Sequence, residues 1–186
     1  MKKILSACAV AAAFMAAPAF AQGYVGLGLG SSRTNGLNIV GVDGGNTSKG
    51  LSKVYGGYQF SPNWGVEAQY SDLGRRDLTT AGVKLGDFKA SQFSIAGTGT
   101  LPLTSGFSLL GKIGISANSF QGSAGLGASN STSALVGVGV AYNFTPALSA
   151  RLEYEDFGKL GNYNAGVGAT GSVKANGYSV SLKYAF

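Results

Sequence analysis

The sequence predicts an all-β fold: an eight-stranded, antiparallel, up-and-down β-barrel that spans a membrane. Three observations lead to this prediction. Apolar and polar residues alternate with a period of two in many segments, the pattern of a strand whose two faces differ. The chain repeats itself with an offset of 84 residues. Charged residues make up only 12% of the chain, while 31 of its 186 residues are glycine, so a soluble protein's charged surface is missing.

The repeat divides the chain into two similar halves. Residues 58–62 (YQFSP) recur as 142–146 (YNFTP), and residues 70–74 (YSDLG) recur as 154–158 (YEDFG). Three prolines mark units of about 40 residues within these halves: Pro62, Pro102 and Pro146. A unit of that length holds one strand out and one strand back, so the chain is expected to contain eight strands.

The alternating segments give the positions of the strands. They predict strands at 23–31, 50–60, 64–72, 89–101, 107–117, 132–144, 148–157 and 175–186. The connections that contain the prolines are short, and the others are rich in Gly, Asn, Ser and Thr. These others are expected to form long loops at 32–49, 73–88, 118–131 and 158–174. Short turns at one end and long loops at the other indicate an up-and-down meander.

The distribution of charge indicates which face of the barrel is wet. The apolar phase of the predicted strands contains no charged residue. The opposite phase contains seven: Lys53, Glu67, Lys112, Arg151, Glu153, Glu155 and Lys183. A soluble, lipocalin-like barrel has its polar face in water, and seven charges on eight strands are too few for such an exterior. A membrane barrel with a narrow polar lumen fits better.

Aromatic residues support the membrane interpretation. One group lies beside the short turns or the C-terminus: Tyr58, Phe60, Trp64, Phe107, Tyr142, Phe144, Tyr184 and Phe186. A second group lies six to eight residues further along the same strands: Tyr70, Tyr154 and Tyr178. Two such belts are typical of the two interfaces of an outer-membrane barrel.

The N-terminus has the pattern of a secretory signal peptide. Lys2 and Lys3 precede the apolar stretch 4–17, and an Ala-Phe-Ala cleavage site ends at Ala21. We therefore expect residues 1–21 to be removed and residues 22–186 to form the barrel domain in the cell outer membrane. A lipoprotein signal around Cys8 is disfavoured because this cysteine lies within the apolar stretch, not after it.

The repeated Tyr-x-Asp-(Leu/Phe)-Gly strand ends, the eight-strand meander and the terminal Tyr-x-Phe resemble the OmpA-like transmembrane domain of Gram-negative bacteria. The resemblance covers residues 22–186. It implies that the last strand is the signal read by the barrel-assembly machinery, through Tyr178, Val180, Leu182, Tyr184 and Phe186. It also implies an ion-pair network in the lumen. The chain ends at its last predicted strand, so the peptidoglycan-binding domain of OmpA itself is not expected to follow.

The candidates for the lumen network are Glu67, Lys112, Arg151 and Glu153. Each lies five to seven residues from a short turn, so the four are expected at a similar depth in the barrel. Lys112 is then expected against Glu67 or Glu153, with Arg151 on the remaining carboxylate, and the network would plug the lumen. The alternative is that a continuous column of water hydrates these side chains.

Three classes of function fit a barrel of this kind. The leading one is a non-enzymatic outer-membrane protein with a structural or small-pore role, and the second is a surface adhesin or receptor that acts through the long loops. The third, a lipid-modifying enzyme, is disfavoured because the chain contains no His. No cofactor, metal or nucleic acid is expected. The expected partners are outer-membrane lipid, lipopolysaccharide and the assembly machinery. Arg75 and Arg76 follow Tyr70 and are candidates for contact with lipopolysaccharide phosphates, and the favoured alternative is that they are two solvated loop arginines.

Overall fold

The computed structural model describes residues 22–35, 48–80, 83–104, 106–122, 128–165 and 169–186. These residues form eight β-strands: β1 (Gln22–Asn35), β2 (Ser48–Gln59), β3 (Trp64–Thr80), β4 (Val83–Pro102), β5 (Phe107–Gly122), β6 (Ala128–Asn143), β7 (Leu148–Ala165) and β8 (Ala169–Ala185). Within the described part of the chain, no helix is long and apolar enough to cross a membrane. The predicted signal segment 1–21 lies outside the described residues.

The strands form one closed antiparallel barrel in which each strand pairs with its neighbours in sequence. β1 and β8 close it, in a register that runs from Tyr24 opposite Ala185 to Asn35 opposite Lys174. The backbone N–H of Phe186 donates to the carbonyl of Gly23 at 2.9 Å and extends this seam by one bond. The closed topology leaves no unpaired sheet edge, as a membrane-spanning sheet requires. The predicted eight-stranded up-and-down barrel is confirmed.

The two faces of the sheet have the chemistry that the sequence predicted. Large apolar side chains in the apolar phase point outward and are exposed, among them Leu27, Ile113 and Val180. Side chains in the opposite phase point inward and are buried, and most of these are polar or charged. The barrel is therefore apolar outside and polar inside, the inverse of a soluble barrel.

The predicted long loops are largely wrong, because the strands continue through most of them. β3 and β4 extend to Thr80 and Val83, and β7 and β8 extend to Ala165 and Ala169, so most of 73–88 and 158–174 is hairpin. β5 and β6 likewise reach Gly122 and Ala128, within the predicted loop 118–131. Above a membrane both faces of a strand are in water, so the alternation that marks a strand disappears while the backbone pairing persists. Residues 36–47, within the first predicted loop 32–49, lie outside the described residues.

The repeated Tyr-x-Asp-(Leu/Phe)-Gly segments form the same bulge on opposite walls of the barrel. The register of β3 and of β7 shifts just after Asp72 and Asp156. The glycines that follow have positive φ angles of 80° at Gly74 and 66° at Gly158, a conformation that favours glycine. Each aspartate accepts a hydrogen bond from the backbone N–H of its glycine, at 2.9 and 2.8 Å. The motif is thus a bulge signal that bends each strand.

Candidate functional site: the charged lumen

The inward face of the barrel brings six buried charged residues together. Inward positions occur at every second residue of a strand, so the residues that meet there come from several strands. We call the following set the lumen network: Lys53 of β2, Glu67 of β3, Lys112 of β5, and Arg151, Glu153 and Glu155 of β7. Its three cations and three carboxylates balance in charge. Because β3 and β7 are four strands apart, the network spans the lumen.

Glu67 receives three donors from three different strands. One carboxylate oxygen lies 2.7 Å from Lys112 Nζ, and the other lies 2.8 Å from Arg151 Nη1. The hydroxyl of Tyr24 also donates to this second oxygen, at 3.0 Å. Only 2% of Glu67 is exposed, and a buried charge is tolerated only when it is paired and hydrogen-bonded in this way.

The two lysines bridge the remaining carboxylates. Lys53 Nζ lies 2.7 Å from Glu153 and 2.9 Å from Glu155. Lys112 Nζ lies 2.8 Å from Glu153 and 3.1 Å from Glu155. Every carboxylate of the lumen network therefore contacts two cations. This arrangement ties β2, β3, β5 and β7 together across the barrel interior.

Two glycines make room for the two lysines. Gly28 lies directly opposite Lys53 on the neighbouring strand, and Gly137 lies directly opposite Lys112. A Cβ atom on Gly28 would lie 3.0 Å from Lys53 Cγ, and one on Gly137 would lie 2.6 Å from Lys112 Cγ. Those distances are shorter than ordinary van der Waals contact. In a barrel of eight strands, long inward side chains fit only where their neighbours are this small.

The 84-residue repeat organises the network. Glu67 and Arg151 are 84 residues apart and so occupy equivalent positions in the two halves, yet they carry opposite charges and pair with each other. The Gly28–Lys53 pair of the first half corresponds to the Lys112–Gly137 pair of the second, with lysine and glycine exchanged between strands. Two similar half-barrels thus present complementary charges to each other.

Aromatic rings lie against the lumen network on the side of the short turns. The guanidinium of Arg151 lies 5.1 Å from the ring centroid of Tyr24 and 5.0 Å from that of Tyr55, within the range of a cation–π interaction. The ammonium of Lys183 lies 5.2 Å from the Tyr24 ring. Within the described residues Lys183 makes no ion pair, so it is a lumen cation outside the network. The Tyr24 and Tyr55 rings narrow this end of the lumen.

An apolar layer fills the lumen on the side of the bulges. Leu73 and Phe157 follow the two aspartates of the repeated motif, and both side chains are completely buried inside the barrel. They cluster with Leu51 and Leu135, and Gly177 leaves space beside the Phe157 ring. Two equivalent serines hold the bulges, because Ser32 donates to the carbonyl of Leu73 and Ser116 to that of Phe157, both at 3.3 Å. The pattern of the sequence did not reveal this layer.

The lumen network offers no group prepared for catalysis. Each carboxylate is neutralised by two cations, so none is a free base or nucleophile. No group of three or more His, Cys, Asp and Glu in the described part of the chain is placed to hold a metal ion. What the geometry does is join β2, β3, β5 and β7 across the lumen.

The structure brings together all four residues predicted for the network, with more contacts than predicted. Lys112 contacts both Glu67 and Glu153, and Arg151 shares Glu67 with Lys112. Sequence reasoning placed Lys53 and Glu155 in the lumen but did not assign them to the network. Both lie nine residues from a proline turn, whereas the four predicted members lie five to seven residues from a short turn. Strand tilt brings them to the same depth.

The other predicted site residues remain predictions. Tyr178, Val180, Leu182, Tyr184 and Phe186 all face outward and are more than half exposed, with no contact that tests a role in assembly. Arg75 and Arg76 pair with Lys89 and Phe88 through the backbone of β3 and β4. Their side chains lie outside the described residues.

Comparison with known proteins identifies the family. The family model for the OmpA-like transmembrane domain matches residues 18–186. The chain belongs to the OmpA-like transmembrane domain family. It is an outer-membrane protein, as the sequence predicted. No curated protein matches the chain in sequence.

Solved structures of similar fold are also outer-membrane barrels. Ail, the attachment invasion locus protein of Yersinia pestis, was solved in complex with the heparin analogue sucrose octasulfate. It is 18% identical, with a TM-score of 0.60 over 90% of this chain and 99% of Ail. Neisserial surface protein A is 20% identical, with a TM-score of 0.61 over 88% of this chain and 97% of that protein. The N-terminal barrel of Pseudomonas aeruginosa OprF is 13% identical, with a TM-score of 0.50 over 87% and 97% of the two chains. At these identities the likeness of this OmpA-like domain to them is one of fold.

Proposed function

We propose that this OmpA-like domain is a non-enzymatic outer-membrane barrel with a structural role, whose small lumen is closed at rest by the lumen network. The observation that carries the proposal is the cross-lumen pairing of Glu67 with Arg151 at 2.8 Å and with Lys112 at 2.7 Å. An ion that passes through the lumen would have to break these buried ion pairs. Each charge that is left without its partner costs several kcal/mol.

Layers on both sides of the network support closure. On the side of the short turns, Tyr24 and Tyr55 are buried at 3% and 2% exposure. On the side of the bulges, Leu73 and Phe157 form an apolar layer, which dewets more readily than a polar one and so opposes ion passage. A pore role would then require both the ion pairs and the apolar layer to rearrange. The chain contains no His, which further supports a non-enzymatic role.

Conductance through planar bilayers tests the proposal. The wild-type protein is expected to show little or no conductance. Lys112→Ala removes a cation that contacts all three carboxylates of the network, so it is expected to produce larger or unstable openings. Lys183→Ala is the matched control, because it removes the same charge from the same lumen but leaves every ion pair of the network in place.

A large, steady pore in the wild-type protein that Lys112→Ala leaves unchanged would contradict closure by the network. Equal effects of Lys112→Ala and Lys183→Ala would also contradict it, since lumen charge alone would then explain the change.

A role in surface attachment is the second candidate. It is supported by the length of the hairpins, because β3 and β4 continue for ten residues beyond the outward pair Tyr70 and Phe93. The fold relative Ail is an attachment invasion locus protein. In this second role the hairpins make the contact with the host. Cells whose barrel has the β3–β4 hairpin shortened to Asp72 and Ser91 are therefore expected to lose binding to host cells. Unchanged binding would exclude this hairpin as the adhesive element.

A further inference from the structure

Three cations lie on the outer face of three adjacent strands, above the membrane-facing part of the barrel. They are Arg33 of β1, Lys159 of β7 and Lys174 of β8, and all three side chains are exposed. β8 lies between β7 and β1 in the closed barrel, so the residues form one continuous patch. We call this patch the outer cation cluster.

The strand register forces two of these cations together. Lys159 lies directly opposite Lys174, and directly opposed residues share one face of the sheet with Cβ atoms about 5 Å apart. Lys174 lies opposite Asn35, and Arg33 lies opposite Asn176, so Arg33 is the diagonal neighbour of Lys174. Like charges directly opposite each other destabilise a sheet, unless a bound anion compensates for them.

No carboxylate of the described residues compensates for these charges. Arg33, Lys159 and Lys174 make no ion pair within that part of the chain. The nearest acidic residue along the strands is Asp156, which lies opposite Asn176 on the same outer face. Its carboxylate already accepts a hydrogen bond from the N–H of Gly158 at 2.8 Å. One aspartate beside three cations leaves a net positive site.

The height of the cluster matches the headgroup layer of the membrane. Tyr154 and Tyr178 lie opposite each other, face outward and form part of the upper aromatic belt, which marks the interface between the apolar layer and the headgroups. Along β8 from Tyr178 toward the N-terminal end of the strand, Asn176 is two positions away and lies opposite Arg33. Lys174 is four positions away from Tyr178 in the same direction. At about 3.4 Å per residue on a tilted strand, this is roughly 5 to 10 Å above the belt. Lysine and arginine side chains are long enough to reach headgroups from there.

We infer that Arg33, Lys159 and Lys174 form a binding site for a phosphate group of lipid A, the membrane anchor of lipopolysaccharide in the outer leaflet. A phosphate accepts several charge-assisted hydrogen bonds at once and would neutralise the opposed lysines. The outward direction of the site, toward the lipid and not along the barrel axis, favours a membrane lipid over a soluble anion. The site is distinct from the predicted Arg75 and Arg76 on β3. It rests on the outer-membrane location and not on closure of the lumen, so either proposal can fail without the other.

Binding of lipid A to the folded full-length barrel tests this inference. The protein is refolded into phosphatidylcholine nanodiscs and titrated with diphosphoryl lipid A. The triple variant Arg33→Gln/Lys159→Gln/Lys174→Gln is expected to lose affinity by about tenfold or more, the effect of removing charge-assisted hydrogen bonds. The control for the loss of a single charge is Lys49→Gln, which is compared with Lys174→Gln. Lys49 is exposed like Lys174, but it lies on the inward phase of β2 and not on the outer face of the barrel. The control is expected to change affinity by less than about twofold, as exposed charges away from a contact usually do.

Three further ligands identify the source of the anion. Dephosphorylated lipid A, phosphatidylglycerol and inorganic phosphate are each expected to bind more weakly than diphosphoryl lipid A and to show no dependence on the triple substitution. The inference is overturned if the triple variant binds diphosphoryl lipid A like the wild type. It is also overturned if any of the three ligands shows the same affinity and the same loss in the triple variant. Heat-dependent migration on gels verifies that each variant is folded before binding is measured.

Discussion

Replacing Glu67 by Gln should destabilise the barrel strongly, because this change leaves a buried arginine without a counter-charge. Glu67 is the carboxylate that Arg151 contacts in an ion pair, whereas Lys112 keeps Glu153 and Glu155 when Glu67 is neutralised. Arg151 is only 5% exposed, so water cannot replace the lost carboxylate. Breaking a buried pair in this way costs about 3–5 kcal/mol of unfolding free energy.

The effect can be measured by urea unfolding of protein refolded into phospholipid vesicles. Trp64 is the one tryptophan of the chain and lies on the exposed outer face of β3, so its fluorescence reports the loss of lipid contact. The double variant Glu67→Gln/Arg151→Gln removes both charges and should recover part of the loss, with a coupling energy of about 0.5–3 kcal/mol. Lys49→Gln is the control, because it neutralises an exposed charge outside the lumen network and should change stability by less than about 0.5 kcal/mol.

This reasoning is refuted if Glu67→Gln changes the unfolding free energy by less than about 1 kcal/mol. It is refuted equally if the double variant is as unstable as the sum of the two single variants, since the residues would then act independently.

Three other predictions follow from the same geometry. Gly26→Ala should lower the folded yield because its Cβ would overlap the Tyr55 ring, whereas Gly111→Ala, which meets nothing within 4 Å, should fold normally; equal yields on heat-modifiability gels would contradict the assigned packing. Phe157→Ala should cost about 3–5 kcal/mol in urea unfolding because it empties the apolar layer, and a smaller cost than for the exposed Phe144→Ala would show that the layer is not packed. Deletion of Phe186 should reduce the folded protein in the outer membrane while cleavage after Ala21, measured by the mass of the exported chain, stays normal; a normal folded yield would refute the role of this residue in assembly.

The period of two predicted the strands and the faces they present, because the bilayer imposes one chemistry outside and another inside. The 84-residue repeat and its proline-marked units predicted the number of strands. The same reasoning failed above the membrane, where β3 and β7 continue through predicted loops. There the backbone pairing of β3 with β4 and of β7 with β8 continues, although the alternation that marks a strand in the sequence has ended. A Gly- and Ser-rich segment then looks like a loop although it forms a hairpin.

Membership of the lumen could be predicted from the sequence, but the partners within it could not. Lys53 and Glu155 were assigned to the lumen by their phase, yet their contact depends on the tilt of the strands, which no local pattern encodes. The repeat does contain a usable signal. Glu67 and Arg151 are related by the offset of 84 residues, and opposite charges at equivalent inward positions of two facing half-barrels predict a pair across the lumen.

The apolar layer was missed for a different reason. The segments YSDLG and YEDFG indicate a repeat and a family resemblance but not a packed layer, and Leu73 lies in a segment that the pattern predicts to be a loop. Instead, β3 and β7 stay in the sheet through the Asp–Gly bulge. Leu73 and Phe157 continue the inward alternation of these strands and so lie in the lumen.

Access of a membrane-impermeant thiol reagent to Ser94→Cys tests closure of the lumen most directly. Ser94 points inward and is 1% exposed, and among the described residues its hydroxyl has no hydrogen-bond partner, so the substitution should leave the barrel intact. Cys8 lies in the predicted signal segment, so the processed chain would have no other thiol. With the network intact, Ser94→Cys should react far more slowly than a cysteine at the exposed position Asn130, and adding Lys112→Ala should accelerate its reaction. Rapid reaction of Ser94→Cys in the otherwise native barrel would mean that a continuous water column fills the lumen, and it would contradict closure by the lumen network.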